Sequence, residues 1–307
     1  MNTTNSYVFL TIGKTQESTE TQEFKRYVGV GSSFVLAVNP SKKELEDLYG
    51  HEVANDPEYV VDTDNGREAH ITFIVKTDPA VNNGISIVNR LMFTLRNAPA
   101  YSSDQTKVQV VDKYGNSTWG NAEDVKAGCK LISGSGKEQK IDDKYRIACV
   151  GEADLLDFLK TYLCVGDAFN YVNGSWVKKD NADDFVFGLE HIKDYFSGDF
   201  SELREALALQ PNNKVKLLYG VRTTDDGKQY QTIASRNGMI LRNSAGSNAL
   251  LRLEKNLQNA KDRGSYANTD FRVQELAEYT VTPTDLSSAP VSSSHGSEES
   301  LGEMPWD

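Results

Sequence analysis

Side chains able to do acid–base, nucleophilic or metal chemistry are present in this 307-residue sequence, but no familiar spacing brings them together. The four histidines, His51, His70, His191 and His295, form no ligand pattern such as HExxH and read as structural or surface residues. Asp62-Thr63-Asp64-Asn65-Gly66 begins like a calcium loop, yet the twelfth position is Phe73, where a bidentate Glu is needed. Gly134-Ser135-Gly136-Lys137 suggests a phosphate loop only superficially: no glycine opens a Walker pattern, and Glu138 stands where Ser or Thr would hold magnesium. Gly29-Val30-Gly31 lacks the third glycine and the following helix of a dinucleotide fingerprint. Cys129, Cys149 and Cys164 are odd in number and widely spaced, which argues against a disulfide framework or a CxxC zinc knuckle and for buried thiols. No enzyme class emerges, and neither a metal nor a cofactor is expected.

The chemistry that remains is that of charge and flat rings. The formal net charge is −11, but it is polarised along the chain. From Lys214 to Arg272 eleven bases face five acids, a local balance of +6, whereas Val273 to Asp307 holds seven acids and no Lys or Arg. Single-stranded nucleic acid asks for a positive groove for its backbone and exposed π-faces for its bases. In the basic block, Lys216, Tyr219, Arg222, Lys228, Tyr230 and Arg236 interleave both types, and Arg242 follows. A second candidate patch comprises Arg90, Arg96, Tyr101, Lys107, Lys113, Tyr114 and Trp119. Strand alternation sets Tyr219 and Val221 on one face and Lys216 and Arg222 on the other, so one face cannot hold the whole first set.

These residues sit in short β-branched and aromatic runs separated by turn residues, the texture of an antiparallel sheet or barrel. The runs predict strands over Ser6 to Ile12, Gly31 to Val38, Ala69 to Lys76, Arg90 to Arg96, Thr106 to Val111, Lys144 to Val150, Lys214 to Val221 and Gln229 to Ser235. Asp226-Gly227 predicts a hairpin between the last two, because both turn positions tolerate positive φ. Asp112-Lys113-Tyr114-Gly115 suggests another turn. Helices are predicted from a capping box at Ser41 and Glu44 opening Lys42 to Tyr49, from the apolar stripe of Glu152 to Leu163, and over Ser201 to Leu209 and Ser247 to Ala260.

At 38% hydrophobic and 25% charged residues the composition is that of a globular chain, and no apolar run is long enough to cross a bilayer. The start lacks the basic region and cleavage site of a signal peptide, which leads to an expected cytoplasmic setting. After about Pro283 the sequence turns to Ser, Asp, Glu and Gly and cannot offset its ordering entropy, so a disordered tether is expected. Its tip, Glu303-Met304-Pro305-Trp306-Asp307, sets a tryptophan beside acids, with a partner's pocket as its natural destination.

The runs Arg90-Leu-Met-Phe-Thr-Leu-Arg-Asn97, Thr106 to Gly115 with Trp119, Lys144 to Leu159 and Lys214 to Ile233 resemble the single-stranded DNA-binding, helix-destabilising proteins of tailed bacteriophages. The likeness spans about residues 70–240. It implies a mainly β (α+β) fold: an OB-type barrel with helical insertions over residues 1–283 and an acidic tail over 284–307. It further implies binding of displaced DNA strands in replication, recombination and repair, recruitment of replication proteins through the tail, self-association on DNA, and residence in the host cytoplasm. The Met304 to Asp307 end is similar to the partner-binding tips of bacterial single-strand binders, which usually finish with Pro-Phe and carry more acids. Two other readings stand beside this one: a structural or assembly protein using a β-barrel as an interaction module, and a strand-annealing recombination protein.

Overall fold

The computed structural model describes residues 25–112, 115–126, 131–132, 138–139, 145–163, 169–172, 175–178, 189–208 and 212–280. The predicted strand Ser6 to Ile12 and the acidic tail lie outside them. The chain opens with β1 (Arg26–Val38), α1 (Lys42–Tyr49), β2 (Val60–Thr63), β3 (Gly66–Thr77), β4 (Val88–Pro99), β5 (Lys107–Asp112), β6 (Ser117–Asn121) and α2 (Ala122–Lys126). Next come β7 (Leu131–Ile132), β8 (Glu138–Gln139), β9 (Tyr145–Ile147), β10 (Cys149–Val150), α3 (Glu152–Tyr162), β11 (Phe169–Val172), β12 (Ser175–Lys178), α4 (Leu189–Ser197) and α5 (Ser201–Ala208). The basic block supplies β13 (Val215–Thr223), β14 (Gln229–Ile233), β15 (Leu241–Arg242), α6 (Ser247–Asp262) and β16 (Thr269–Phe271), and β17 (Ala277–Tyr279) follows.

The fold is mainly β. One antiparallel sheet runs in the order β10-β4-β3-β1-β13-β14 and curls into a half-barrel, so that β14 returns to within 8 Å of β4. Alternation decides its faces. Leu91, Phe93 and Leu95 of β4 lie opposite Phe73, Ile71 and Ala69 of β3, and all six are buried. The predicted stripe of α3, Leu155, Leu156, Phe158, Leu159 and Tyr162, joins that core, with the Phe158 ring 4.6 Å from Phe73 and 5.5 Å from Phe93. The α1 capping box forms as predicted: Ser41 Oγ accepts from the Glu44 N–H, Glu44 accepts from the Ser41 N–H, and Gly50 closes the helix at φ 72°.

β1 makes the curl possible. A bulge between Val35 and Ala37 bends it, and Ser33 is opposite both Val215 of β13 and Thr77 of β3. Below Gly29 the two neighbours part: β1 continues against β17, while β13 continues against β16. The Gln231 carboxamide spans the opening, its oxygen accepting the Tyr27 N–H at 2.8 Å and its nitrogen donating to Tyr27 O and Gly220 O at 2.8 and 2.9 Å. Gly29, at φ 129°, lets the C-terminal segment pass, since a Cβ there would lie 2.6 Å from Glu275 O. β13 is buried on both faces: Val215, Leu217 and Tyr219 belong to the main core, whereas Leu218 meets Leu253 and Leu257 of α6 and Phe271 in a second one.

The predicted strand Lys144 to Val150 is divided. β9 joins a small sheet with β5 and β6, and β10 joins the main sheet. The cause is Glu152, fully buried, which accepts from the Cys149 N–H at 2.9 Å and from the Arg146 guanidinium on either side of the break. Cys149 is partly buried, and burial, with Glu152 beside it, pushes its thiol well up.

Gln231→Leu removes three hydrogen bonds and leaves the Tyr27 amide unpaired in a partly buried place, so it should cost about 2 to 3 kcal/mol. Urea denaturation of the variant beside the parent checks this.

Candidate nucleic-acid interface

The hairpin forms at the predicted turn. Thr223 pairs with Gln229, Gly227 sits at φ 81°, and its N–H donates to Thr224 O at 2.8 Å. Register then sets Arg222 directly opposite Tyr230, with Thr269 of β16 on its other side. Both point away from the main core. Tyr230 is 38% exposed, and among the described residues the exposed Arg222 guanidinium makes no hydrogen bond or ion pair. Lys228 is exposed and lies 3.5 Å from Asp226 within the turn.

Two residues assigned to the DNA face from sequence do other work. Tyr219 is fully buried, its hydroxyl 2.8 Å from Ser33 Oγ, and burial pushes its phenol pKa up. Its ring is core and offers no stacking surface. Lys216 turns its ammonium onto Ala245 O at 2.6 Å, fastening the turn before α6 to β13. Arg236 is exposed, its backbone N–H donating to the Tyr266 hydroxyl at 3.3 Å.

The second patch is divided too. Arg96 is paired with Glu68 at 2.9 Å across the β3–β4 ladder, and Arg90 Nε donates to the Tyr49 hydroxyl at 3.3 Å. Trp119, opposite Gln109, is 45% exposed, Tyr101 is bridged to Val108 and 37% exposed, and Lys107 is exposed nearby on β5. Lys113, Tyr114 and the tip Glu303 to Asp307 lie outside the described residues. Between Tyr101 and Lys107 the chain is tied by Asp104, which accepts from the Ser102 and Thr106 hydroxyls at 2.6 and 2.8 Å and from the Thr106 N–H at 3.1 Å. These bonds, the Ser102 one foremost, hold its carboxyl at about 2 against an ordinary 3.8.

A groove of about 730 Å³ opens where β15 meets the start of α6. Arg242 of β15 and Arg252 of α6 line it, with Thr161, Ser244, Ser247 and Asn248. Val215–Arg242 pairing brings β15 there. The preceding loop is clasped to α3: Asp154 accepts from the Asn237 N–H at 2.7 Å and Asp157 from the Gly238 N–H at 3.0 Å. Burial raises both carboxyl pKa values, and it lowers that of Lys160, to which Arg242 adds against the opposing pull of Asp157 and Asp112. Arg252 and the helix start were missed as site residues in the sequence. The available signal was Gly246-Ser247-Asn248-Ala249 opening a helix with no acid in its first turn.

α6 packs on β13 through Leu253 and Leu257, its start beside the Lys216 end and its exit leading to β16 at the Arg222 end. Its outward side carries Arg252, Lys255 and Lys261, along with Glu254 and Asp262. Sixteen residues make a helix about 24 Å long, and the chain that leaves it returns to pair Thr269 with Arg222. No family model, characterised protein or solved structure matches the chain. No helix among the described residues is long and apolar enough to cross a membrane.

The Asp104 carboxyl should titrate at about 2 in a carboxyl-detected NMR pH series, returning toward 3.8 in Ser102→Ala/Thr106→Val. Because its folded pKa is depressed, the stabilisation it gives is complete above 3.8 and lost as pH falls through about 2.

Proposed function

We propose that this protein binds single-stranded DNA without sequence preference, and that the curled sheet is the barrel of an OB-type binding domain. The observation that carries the reading is that the basic block folds into exposed cations around one doubly covered strand, with Arg222 of β13 directly opposite the open ring of Tyr230 and Arg252 and Lys255 exposed on α6, which packs on the same strand. A polynucleotide needs phosphate contacts and a ring under a base, and these residues offer both on elements held by packed cores. Trp119, opposite Gln109, is a separate exposed ring, with Lys107 on the same face of β5 as its nearby cation. The acidic tail over 284–307, with its tip Glu303 to Asp307, would recruit replication proteins, as in the family the sequence resembles, with self-association along the strand.

Titrating the full chain with poly-dT should quench tryptophan fluorescence. If Arg222, Arg242, Arg252 and Lys255 each neutralise a phosphate, log affinity should fall against log salt with a slope near −3, from about 0.7 per phosphate. Arg222→Ala/Tyr230→Ala should weaken binding by at least the roughly 1 to 3 kcal/mol of one stacked base. Absence of affinity for poly-dT, or affinity independent of salt, overturns the reading and favours a protein-interaction module. Pairing of complementary strands in the same preparation would mark an annealing protein.

A further inference from the structure

Arg222 and Tyr230 share a geometry that phosphate binding alone does not require. The bonds from the Thr224 N–H to Lys228 O at 2.9 Å and from the Ala234 N–H to Leu218 O at 3.0 Å fix the alternation of the hairpin, so Arg222 and Tyr230 form one of its hydrogen-bonded pairs, with Cα atoms about 5.5 Å apart. Their side chains therefore leave the sheet side by side. The guanidinium does not lie over the ring: among the described residues Tyr230 makes no ring or cation–π contact, unlike Tyr279, which has Arg272 5.6 Å above it. Both faces of the ring and the whole guanidinium fork stay open. Two flanking carboxylates are occupied, Asp226 by the Thr224 hydroxyl and by Lys228 at 3.5 Å, and Asp270 by Arg272 at 2.7 and 3.0 Å. One row along the same face Phe271 fills the space over Gly220, and one row the other way stand Thr224 and Lys228.

A base stacked on an open face of Tyr230 lies parallel to the ring, and its edge then meets the guanidinium standing beside that ring. A fork of parallel N–H donors asks for two acceptors on one edge. Guanine offers them as O6 and N7, whereas adenine sets an amino donor beside N7, cytosine presents an amino donor, and thymine has a single oxygen next to its methyl group. We infer that the Arg222–Tyr230 pair is a guanine-reading subsite, in which the base stacks on Tyr230, Arg222 donates to O6 and N7, and Lys228 in the next row takes the adjoining phosphate. The subsite rests on the DNA reading and adds to it one position at which a strand otherwise bound without regard to sequence is read. Over thymine the fork finds no such edge and is left to a phosphate.

Fluorescence anisotropy of the full chain with a short oligo-dT, and with the same oligonucleotide carrying one central dG, tests it. The dG oligonucleotide should bind about fivefold tighter, the low end of what a bidentate Arg–guanine pair discriminates. Its salt slope should be shallower by about 0.7, because one phosphate contact is exchanged for a base edge. A dA at the same place, which stacks as broadly, should bring no gain. Replacing the guanine by 7-deazaguanine, which lacks N7, should lose most of the gain, and hypoxanthine, which keeps O6 and N7, should retain it. Arg222→Lys removes the fork and should bring the dG and dT oligonucleotides within about twofold of each other, whereas Arg252→Gln should weaken both alike. Equal affinity for the two, a gain that dA reproduces, or a gain that Arg222→Lys leaves intact overturns guanine reading while DNA binding stands. Failure of every oligonucleotide to bind defeats the DNA reading, and the subsite with it.

Discussion

The architecture depends on the point where β1 and β13 separate. Paired strands in a strongly curled sheet cannot stay side by side indefinitely, and beyond Gly29 and Tyr219 each takes a new neighbour. A gap between two partly buried backbones is costly because every amide in it needs a partner. The Gln231 side chain supplies both halves of a peptide group at once, and the sheet stays continuous across the split.

The same device recurs along β1. Asn82 accepts from the Ser32 N–H at 3.0 Å and donates to Ser32 O at 2.8 Å, and Asn39, fully buried, accepts from the Thr72 N–H at 2.6 Å. These carboxamides stand where the sheet has no neighbouring strand to offer. They leave the strand free to bend at its bulge while its backbone groups remain satisfied. The result is a rigid curled frame whose outer side, at β13, carries α6 and the cations.

The strands of the main sheet were visible in the sequence because one face of each is buried, and burial writes a period of two into Leu91, Phe93 and Leu95. Where both faces are covered that signal weakens. Val215-Lys-Leu-Leu-Tyr-Gly-Val221 is nearly continuous in apolar residues, as expected for a doubly covered strand, so alternation showed that Tyr219 and Lys216 face opposite ways without showing which face is open. Partners distant in sequence were hidden for another reason. Glu68 quenches Arg96 from 28 residues away and Tyr49 meets Arg90 from 41 away, through register and the placement of α1. The groove needed β15 to pair with β13 before Arg242 could meet the start of α6.

One consequence concerns how force passes through the molecule. β17 is short, but it is fastened to β1 by three residue pairs and to the residue before β1 by Lys25 and Glu278 at 3.4 Å, while Arg272, just after β16, lies 5.6 Å over its Tyr279 ring. The segment behind it threads against Gly29, where the Val30 N–H donates to Gln274 O at 2.8 Å. A pull exerted on the acidic stretch would therefore load β1, the strand that also bears on β13, rather than peel away a loose appendage. Mechanical tension at that end and the placement of α6 share one structural beam.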